Sequence, residues 1–122
     1  MTDLEMTRLC AEAMAMNVRE SYWAGVGAKV LETDEWMDGA DHYRRYDPLH
    51  DDAQVMALVK KFKLQVLPNP AHGGWWIAVA NKDANGNDDL NRAIVECVAK
   101  MQVDRTESVN RGTATLNKSL YG

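Results

Sequence analysis

The sequence predicts an α+β domain, in which a small and mostly antiparallel sheet is packed with about three helices. Three stretches, 2–15, 50–62 and 88–102, carry apolar residues at the helical spacing of three and four. Short β-like stretches lie between them, so the order is helix, one or two strands, helix, strand or hairpin, and helix. This order is typical of helices that lie over a small sheet.

The first helix has a clear N-terminal signal. Thr2 and Glu5 have the spacing of a capping box, in which each side chain accepts a hydrogen bond from the other residue's backbone N–H. One apolar face follows at helical spacing, formed by Met6, Leu9, Cys10, Ala13 and Met14. Arg8 and Glu12 lie four residues apart on the opposite side, where they could pair weakly.

Residues 17–46 are expected to hold the first strands and a loop. Two β-like runs lie in 17–37, and the AGVG sequence between them fits either a hairpin turn or a bend in one long strand. Residues 38–46 are polar and are predicted to form an exposed loop.

The second half of the chain predicts a strand pair. Residues 64–67 are β-like, and the prolines and glycines of 68–74 predict a turn. Residues 75–81 form the best strand, with Trp75 and Trp76 on opposite faces, and its apolarity on both faces predicts a central strand. A polar loop is expected over 81–88.

The last helix has the most regular pattern. Its apolar positions follow the i, i+3, i+4, i+7 spacing: Leu90, Ala93, Ile94, Cys97, Val98 and Met101. Asn87 or Asp88 would serve as its N-cap. Residues 104–122 are polar and rich in small side chains. We therefore expect one domain over 1–103 and a C-terminal tail over 104–122 that is flexible or is ordered by a partner.

The composition indicates a cytoplasmic protein. A net charge of -4 argues against direct nucleic-acid binding, which needs clustered lysines and arginines. Cys10 and Cys97 fall on apolar helix faces and are expected to be buried, reduced thiols. The N-terminal residues are acidic where a signal peptide is basic, and no apolar run approaches the ~20 residues of a membrane span.

An acidic cluster precedes the second helix, and it has two interpretations. Asp47, His50, Asp51 and Asp52 could be metal ligands or catalytic groups. The favoured interpretation is a helix start, with Asp47 as N-cap, Pro48 at the first helical position, and the other two aspartates in the first turn. Lys60 and Lys61 then lie near the end of the helix where the dipole favours cations.

The sequence carries no complete signature of an enzyme. NKDANGNDDLNR (81–92) is spaced like a calcium loop, but Arg92 stands where the last ligand should be a bidentate glutamate. The three histidines lack the spacing of a ligand pair, and no P-loop, Rossmann or GxSxG motif occurs. We therefore expect no metal and no cofactor, and we favour a non-enzymatic role.

Aromatic and basic residues are the best candidates for a binding surface. HYRRY (42–46) places two arginines between two tyrosines, and HGGWW (72–76) places a histidine before two tryptophans. Tryptophan, tyrosine and arginine are common anchors of protein interfaces, and such residues also stack on nucleotides. The candidate binding residues are Trp36, Tyr43, Arg44, Arg45, Tyr46, His72, Trp75 and Trp76.

Four pieces of the chain occur in the same order in small phage and prophage proteins. They are MTRLCAEAM (6–14), the segment 46–62, WWIAV (75–79) and DLNRAIVECVAKM (89–101). Over roughly residues 3–102 the chain resembles the phage ABA-sandwich domain family. The resemblance implies a sheet packed between helices and a phage or prophage origin, and it brings no catalytic residues with it.

These observations lead to three functional hypotheses. The first is a phage or prophage accessory protein that binds a host protein without catalysis, and in its most specific form inhibits an anti-phage defence system. The acidic chain would complement a partner with a basic nucleic-acid channel. The second is a protein that binds or sequesters a nucleotide, and the third is a metal-dependent enzyme. A homodimer, in which a second copy closes an uncovered sheet face, is also open.

Overall fold

The computed structural model describes residues 1–33, 44–71, 73–79 and 85–121, including the side chains of all of these except 85 and 108–121. Within these residues there are three helices and two antiparallel sheets of three strands each, which confirms the α+β prediction. The elements are α1 (Asp3–Ala13), β1 (Val18–Trp23), β2 (Ala28–Thr33), β3 (Arg44–Tyr46), α2 (Asp52–Phe62), β4 (Gln65–Pro68), β5 (Trp75–Ala78), β6 (Asn85–Asn87) and α3 (Leu90–Tyr121).

Helix α1 begins with the predicted capping box. The Glu5 N–H donates to Thr2 Oγ1 at 3.1 Å, and the Thr2 N–H donates to Glu5 Oε2 at 3.0 Å. On the outer side, Arg8 pairs with Glu20 of β1 rather than with Glu12. The helix is therefore tied to the first sheet by this ion pair.

The first sheet has the order β1–β2–β3. The AGVG sequence forms a hairpin turn, because β1 and β2 pair antiparallel from Val18↔Thr33 to Trp23↔Ala28. Strand β3 then pairs antiparallel with β2, with Tyr46 opposite Leu31. The prediction of a loop was wrong for 44–46, because three residues are too few to show a strand pattern. The rest of that predicted loop lies outside the described residues.

The second sheet has the order β4–β5–β6, so β5 is a central strand as predicted. The turn before β5 uses positive φ at Gly73 (72°) and Gly74 (77°), which glycine adopts without strain. Strand β6 falls inside the predicted polar loop. Its own residues show no apolar pattern, and it is a strand because it pairs with β5. Strand β5 ends at Ala78 rather than at 81.

Helix α2 starts later than predicted. Its N-cap is Asp51, whose carboxylate accepts from the Gln54 N–H at 3.0 Å. Asp47 instead opens a turn, and its carbonyl oxygen accepts from the N–H groups of His50 (3.0 Å) and Asp51 (2.9 Å). Proline follows the first residue of many β-turns as readily as it occupies the first position of a helix, so the Asp-Pro signal fits both.

Helix α3 differs from its prediction at both ends. Its first turn is capped by Asp89, whose carboxylate accepts from the Arg92 N–H at 3.0 Å, and not by Asn87 or Asp88. It continues to Tyr121 rather than ending at 102. The regular apolar pattern of this helix ends near Met101. Residues 103–121 contain no proline, however, so no residue of that type interrupts the backbone hydrogen bonds of the helix. Whether 104–122 behave as a separate tail stays a prediction.

The core surrounds one segment of α3. From Ala93 to Ala99 all residues except Glu96 are buried, and α3 contacts α1, α2 and the second sheet. Cys10 of α1 donates from Sγ to the Val95 carbonyl oxygen at 3.6 Å. In the described part of the chain, none of the helices has both the length and the apolarity of a bilayer span.

We expect a chain that ends at Val103 to keep the stability of the full chain within about 1 kcal/mol, because Asp104–Glu107 are exposed and surface changes have small effects. Urea unfolding of both chains measures this. A control chain that ends at Glu96 lacks Val98 and Ala99 of the core and should lose cooperative unfolding. A loss of several kcal/mol in the chain that ends at Val103 would show that residues 104–122 contribute to stability.

Candidate functional site

The structure separates the candidate binding residues into two groups. Arg44, Arg45 and Tyr46 form β3 at one side of the first sheet, whereas Trp75 and Trp76 lie in β5 of the second sheet. Trp36, Tyr43 and His72 lie outside the described residues. The two groups therefore do not share a sheet, and β3 carries the basic one.

Tyr46 belongs to the core and not to a surface. It is 4% exposed and lies opposite Leu31, which is also buried. Burial first, and the neighbouring Cys10 second, raise the pKa of its hydroxyl well above the ordinary value of a tyrosine. A ring in this position cannot stack on a nucleotide from solvent.

The two arginines line an open cleft next to the first turn of α2. The cleft has a volume of about 420 Å³, and its lining residues are Arg44, Arg45, Asp51, Ala53 and Gln54. We call it the arginine cleft. Arg44 is exposed, and among the described residues no carboxylate is in ion-pair contact with it. Arg45 is 35% exposed and donates from Nη2 to Asp47 Oδ2 at 3.1 Å. The cleft therefore presents one available guanidinium and one that is held in place.

Gln54 fixes the position of the arginines relative to α2. Its Nε2 donates to the Arg45 carbonyl oxygen at 2.9 Å, and its Oε1 accepts from the Asp47 N–H at 2.6 Å. The side-chain amide thus bonds one C=O and one N–H of the backbone at the end of β3, as a neighbouring strand would. Sequence reasoning missed this residue, although Asp51 and Gln54 have the spacing of a capping box.

The acidic cluster before α2 has several separate structural roles. Asp47 accepts from Arg45 and contacts His50 Nδ1 at 2.8 Å, while Asp51 caps α2. Asp52 accepts from Asn91 Nδ2 at 3.0 Å and so ties α2 to α3. Among the described residues, no three His, Cys, Asp or Glu side chains form a group that could hold a metal ion.

The two tryptophans of β5 lie on opposite faces of the second sheet. Trp76 is 37% exposed, whereas Ile77, one position on, is fully buried. The Trp76 ring covers Gly86 of β6 so closely that an added Cβ would come within 2.9 Å of it. Leu67 lies opposite Trp76 on β4 and is also exposed. The outer face of this sheet is therefore a small apolar surface that Trp76 dominates.

Neither cysteine is placed to act as a nucleophile. Both thiols are buried, as predicted. Burial first, and Cys97 second, raise the pKa of Cys10 from 9.0 to about 12. A thiol with this pKa carries almost no thiolate near neutral pH, and the thiolate is the reactive form.

Comparisons with protein-family models, with curated proteins and with solved structures found no match to this chain. The resemblance to the phage ABA-sandwich family therefore stays a prediction, and it depends on the four sequence pieces alone.

We expect Gln54→Met to lower the free energy of unfolding by about 2 kcal/mol. The variant keeps the size of the side chain but leaves the Arg45 carbonyl and the Asp47 N–H without their partner, and each hydrogen bond contributes about 1 kcal/mol. Urea unfolding measures the loss. The matched control is Lys60→Met on the exposed side of the same helix, which should change stability by less than about 0.5 kcal/mol. Equal stability of the two variants would contradict the role of Gln54.

We expect Cys10 to make the protein less stable as pH rises above 9. The folded thiol stays protonated up to a pKa of about 12, whereas the unfolded thiol ionises above 9.0, so the unfolded state is favoured as protons are lost. The decrease should be about 1.4 kcal/mol per pH unit in this range. Urea unfolding of wild type and Cys10→Ala from pH 8 to 11 isolates the effect. Parallel pH profiles of the two proteins would contradict it.

Proposed function

We propose that this chain is a phage or prophage accessory protein that binds a host protein without catalysis. The binding surface comprises the arginine cleft and the exposed Arg44 beside it. The observation that carries the proposal is the pairing of one solvent-exposed guanidinium with one that is fixed by Asp47, on a backbone that Gln54 holds against α2. In its specific form, the host protein belongs to an anti-phage defence system.

The chemistry of the cleft suits a protein interface. Arginine is enriched among the residues that dominate interface energies, and a preorganised side chain loses less entropy on binding. The cleft is locally basic in a chain with a net charge of -4. The groups of a partner that face the cleft would therefore be hydrogen-bond acceptors such as carboxylates, which pair with guanidinium groups.

Two further observations favour binding over catalysis. Both thiols are buried, and Cys10 has a pKa far above neutral. Within the described residues, the acidic cluster before α2 is used for a cap, a turn and an ion pair rather than for a metal. These side chains are therefore already engaged in holding the fold.

Arg44→Glu tests the proposal, with Lys60→Glu as a control that makes the same change in net charge at an exposed position of α2. Wild type is used to capture its partner from host lysate, and the dissociation constant is then measured with the purified partner. We expect Arg44→Glu to weaken binding about thirtyfold, as loss of ~2 kcal/mol at an interface anchor would. The control should bind within about threefold of wild type.

Two results would overturn the proposal. One is a wild-type protein that captures no host protein, and the other is an Arg44→Glu variant that binds the partner as tightly as the Lys60→Glu control.

The second candidate function is nucleotide binding or sequestration, and it uses the same cleft. Its volume of about 420 Å³ suits a small molecule, and arginine binds phosphates with two parallel hydrogen bonds. A nucleotide that binds only the folded state raises the melting temperature with its concentration. A rise that Arg44→Ala abolishes would favour this function over the first. No shift with any cyclic or linear nucleotide would eliminate it.

A further inference from the structure

The edge strands of the two sheets differ in how open they are. Strands β3 and β6 have three residues each, and the side chain of Gln54 already bonds the backbone at the end of β3. Strand β4 has four residues and ends in Pro68, which has no backbone N–H to donate. Strand β1 is six residues long, and among the described residues no strand pairs with its outer edge. An open edge of this length is a template for pairing with another chain.

The hairpin turn shows which backbone groups of β1 face this open edge. The Trp23 carbonyl oxygen accepts from the N–H groups of Val26 at 3.0 Å and Gly27 at 2.8 Å, so the backbone of Trp23 faces the inside of the hairpin. Backbone direction alternates from one residue to the next along a strand. The N–H and C=O groups of Glu20 and Tyr22 therefore face outwards, where no strand of the described part of the chain lies to bond them.

The charged side chains of β1 protect this edge only weakly, because they are paired within the chain. Charges on an edge strand normally oppose pairing with another chain. Glu20 pairs with Arg8 of α1, and Arg19 Nε lies 3.4 Å from Glu32 Oε1 of β2. Tyr22 is 66% exposed, so an aromatic side chain stays uncovered on the same strand. A second strand would therefore meet partly neutralised charges and an exposed ring.

We propose that β1 pairs antiparallel with β1 of a second copy of this chain, about a two-fold axis at Ser21. Edge-facing residues must lie opposite edge-facing residues, so the axis passes through a residue and not between two. An axis at Arg19 or Glu20 would place that charge opposite itself, which destabilises a strand pair. An axis at Tyr22 would pair only 21–23 of each strand, whereas the axis at Ser21 pairs 19–23.

The axis at Ser21 places unlike side chains opposite each other. Glu20 lies opposite Tyr22 of the second copy, and the two edge-facing residues exchange backbone hydrogen bonds. Arg19 lies opposite Trp23 of the second copy, where a guanidinium can contact an indole ring. Ser21 lies opposite itself, and its small side chain suits the ~4.5 Å between Cα atoms of a non-hydrogen-bonded pair. This self-complementarity is the reason to assign the edge to a second copy.

The dimer is independent of the proposed function, because Arg44 lies on β3 at the opposite edge of the sheet. Pairing of the two β1 strands forms one sheet of six strands. At ~4.8 Å per strand, its two β3 strands lie about 24 Å apart, so one assembly presents two arginine clefts. The paired strands are short and bury little surface, so we expect a weak dimer with a dissociation constant of about 10 μM.

Sedimentation equilibrium of the full chain at concentrations below and above about 10 μM measures the dimer. Ser21→Asp and Ser21→Lys each place like charges opposite each other at the axis, so we expect each to weaken dimerisation about tenfold. An equimolar mixture of the two variants places opposite charges at the axis and should restore dimerisation to the wild-type level. The restored dimer would also show that both variants fold.

Val26→Asp is the matched control for Ser21→Asp, because Val26 is 45% exposed in the turn of the same hairpin and lies outside the paired residues. It should dimerise within about threefold of wild type. Arg44→Glu should also dimerise as wild type does, whatever it does to host binding. Failure of the dimer and failure of the proposed function are therefore distinguishable.

A concentration-dependent dimer that each Ser21 variant weakens and their mixture restores supports the inference. A full chain that is monomeric at every concentration would overturn it. Dimerisation of Ser21→Asp as strong as that of Val26→Asp would overturn the assignment to β1, and a mixture that stays monomeric would overturn the axis at Ser21.

Discussion

The burial of one short segment of α3 is the constraint on which the rest of the structure depends. Between Ala93 and Ala99 every residue except Glu96 is buried. A helix that is apolar on all sides has to be enclosed, and here α1, α2 and the second sheet enclose it. Cys10 of α1 donates from Sγ to the Val95 carbonyl oxygen, so α1 lies close to the backbone of this segment.

The candidate site lies outside the core and is connected to it through β2 and α2. Strand β3 is attached to β2 by backbone pairing and to α2 by Gln54, and α2 is attached to α3 by the bond between Asn91 and Asp52. The arginines are thus positioned by polar contacts, while the apolar core carries the stability. A surface built in this way can present charged side chains to a partner without placing a charge inside the core.

Local patterns predicted the helices well and the connections poorly. The capping box of α1, the buried faces of α1 and α3 and the central strand β5 follow from the periodicity and spacing of neighbouring residues. Strands β3 and β6 are three residues long, and each is formed by pairing with a strand distant in sequence, which no local pattern records. The arginines of the site could be singled out from their residue type alone. The role of Gln54 and the burial of Tyr46 depend on contacts with other elements, so they could not be predicted.

Native-state hydrogen exchange tests the central claim, that the enclosed part of α3 organises the molecule, most directly. The backbone amides of 93–99 should exchange only through global unfolding, with a free energy equal to that from urea unfolding. The amide of Asp47, which depends on Gln54, should exchange with a lower free energy. Amides of 93–99 that exchange more easily than those of the β1–β2 hairpin would contradict the account.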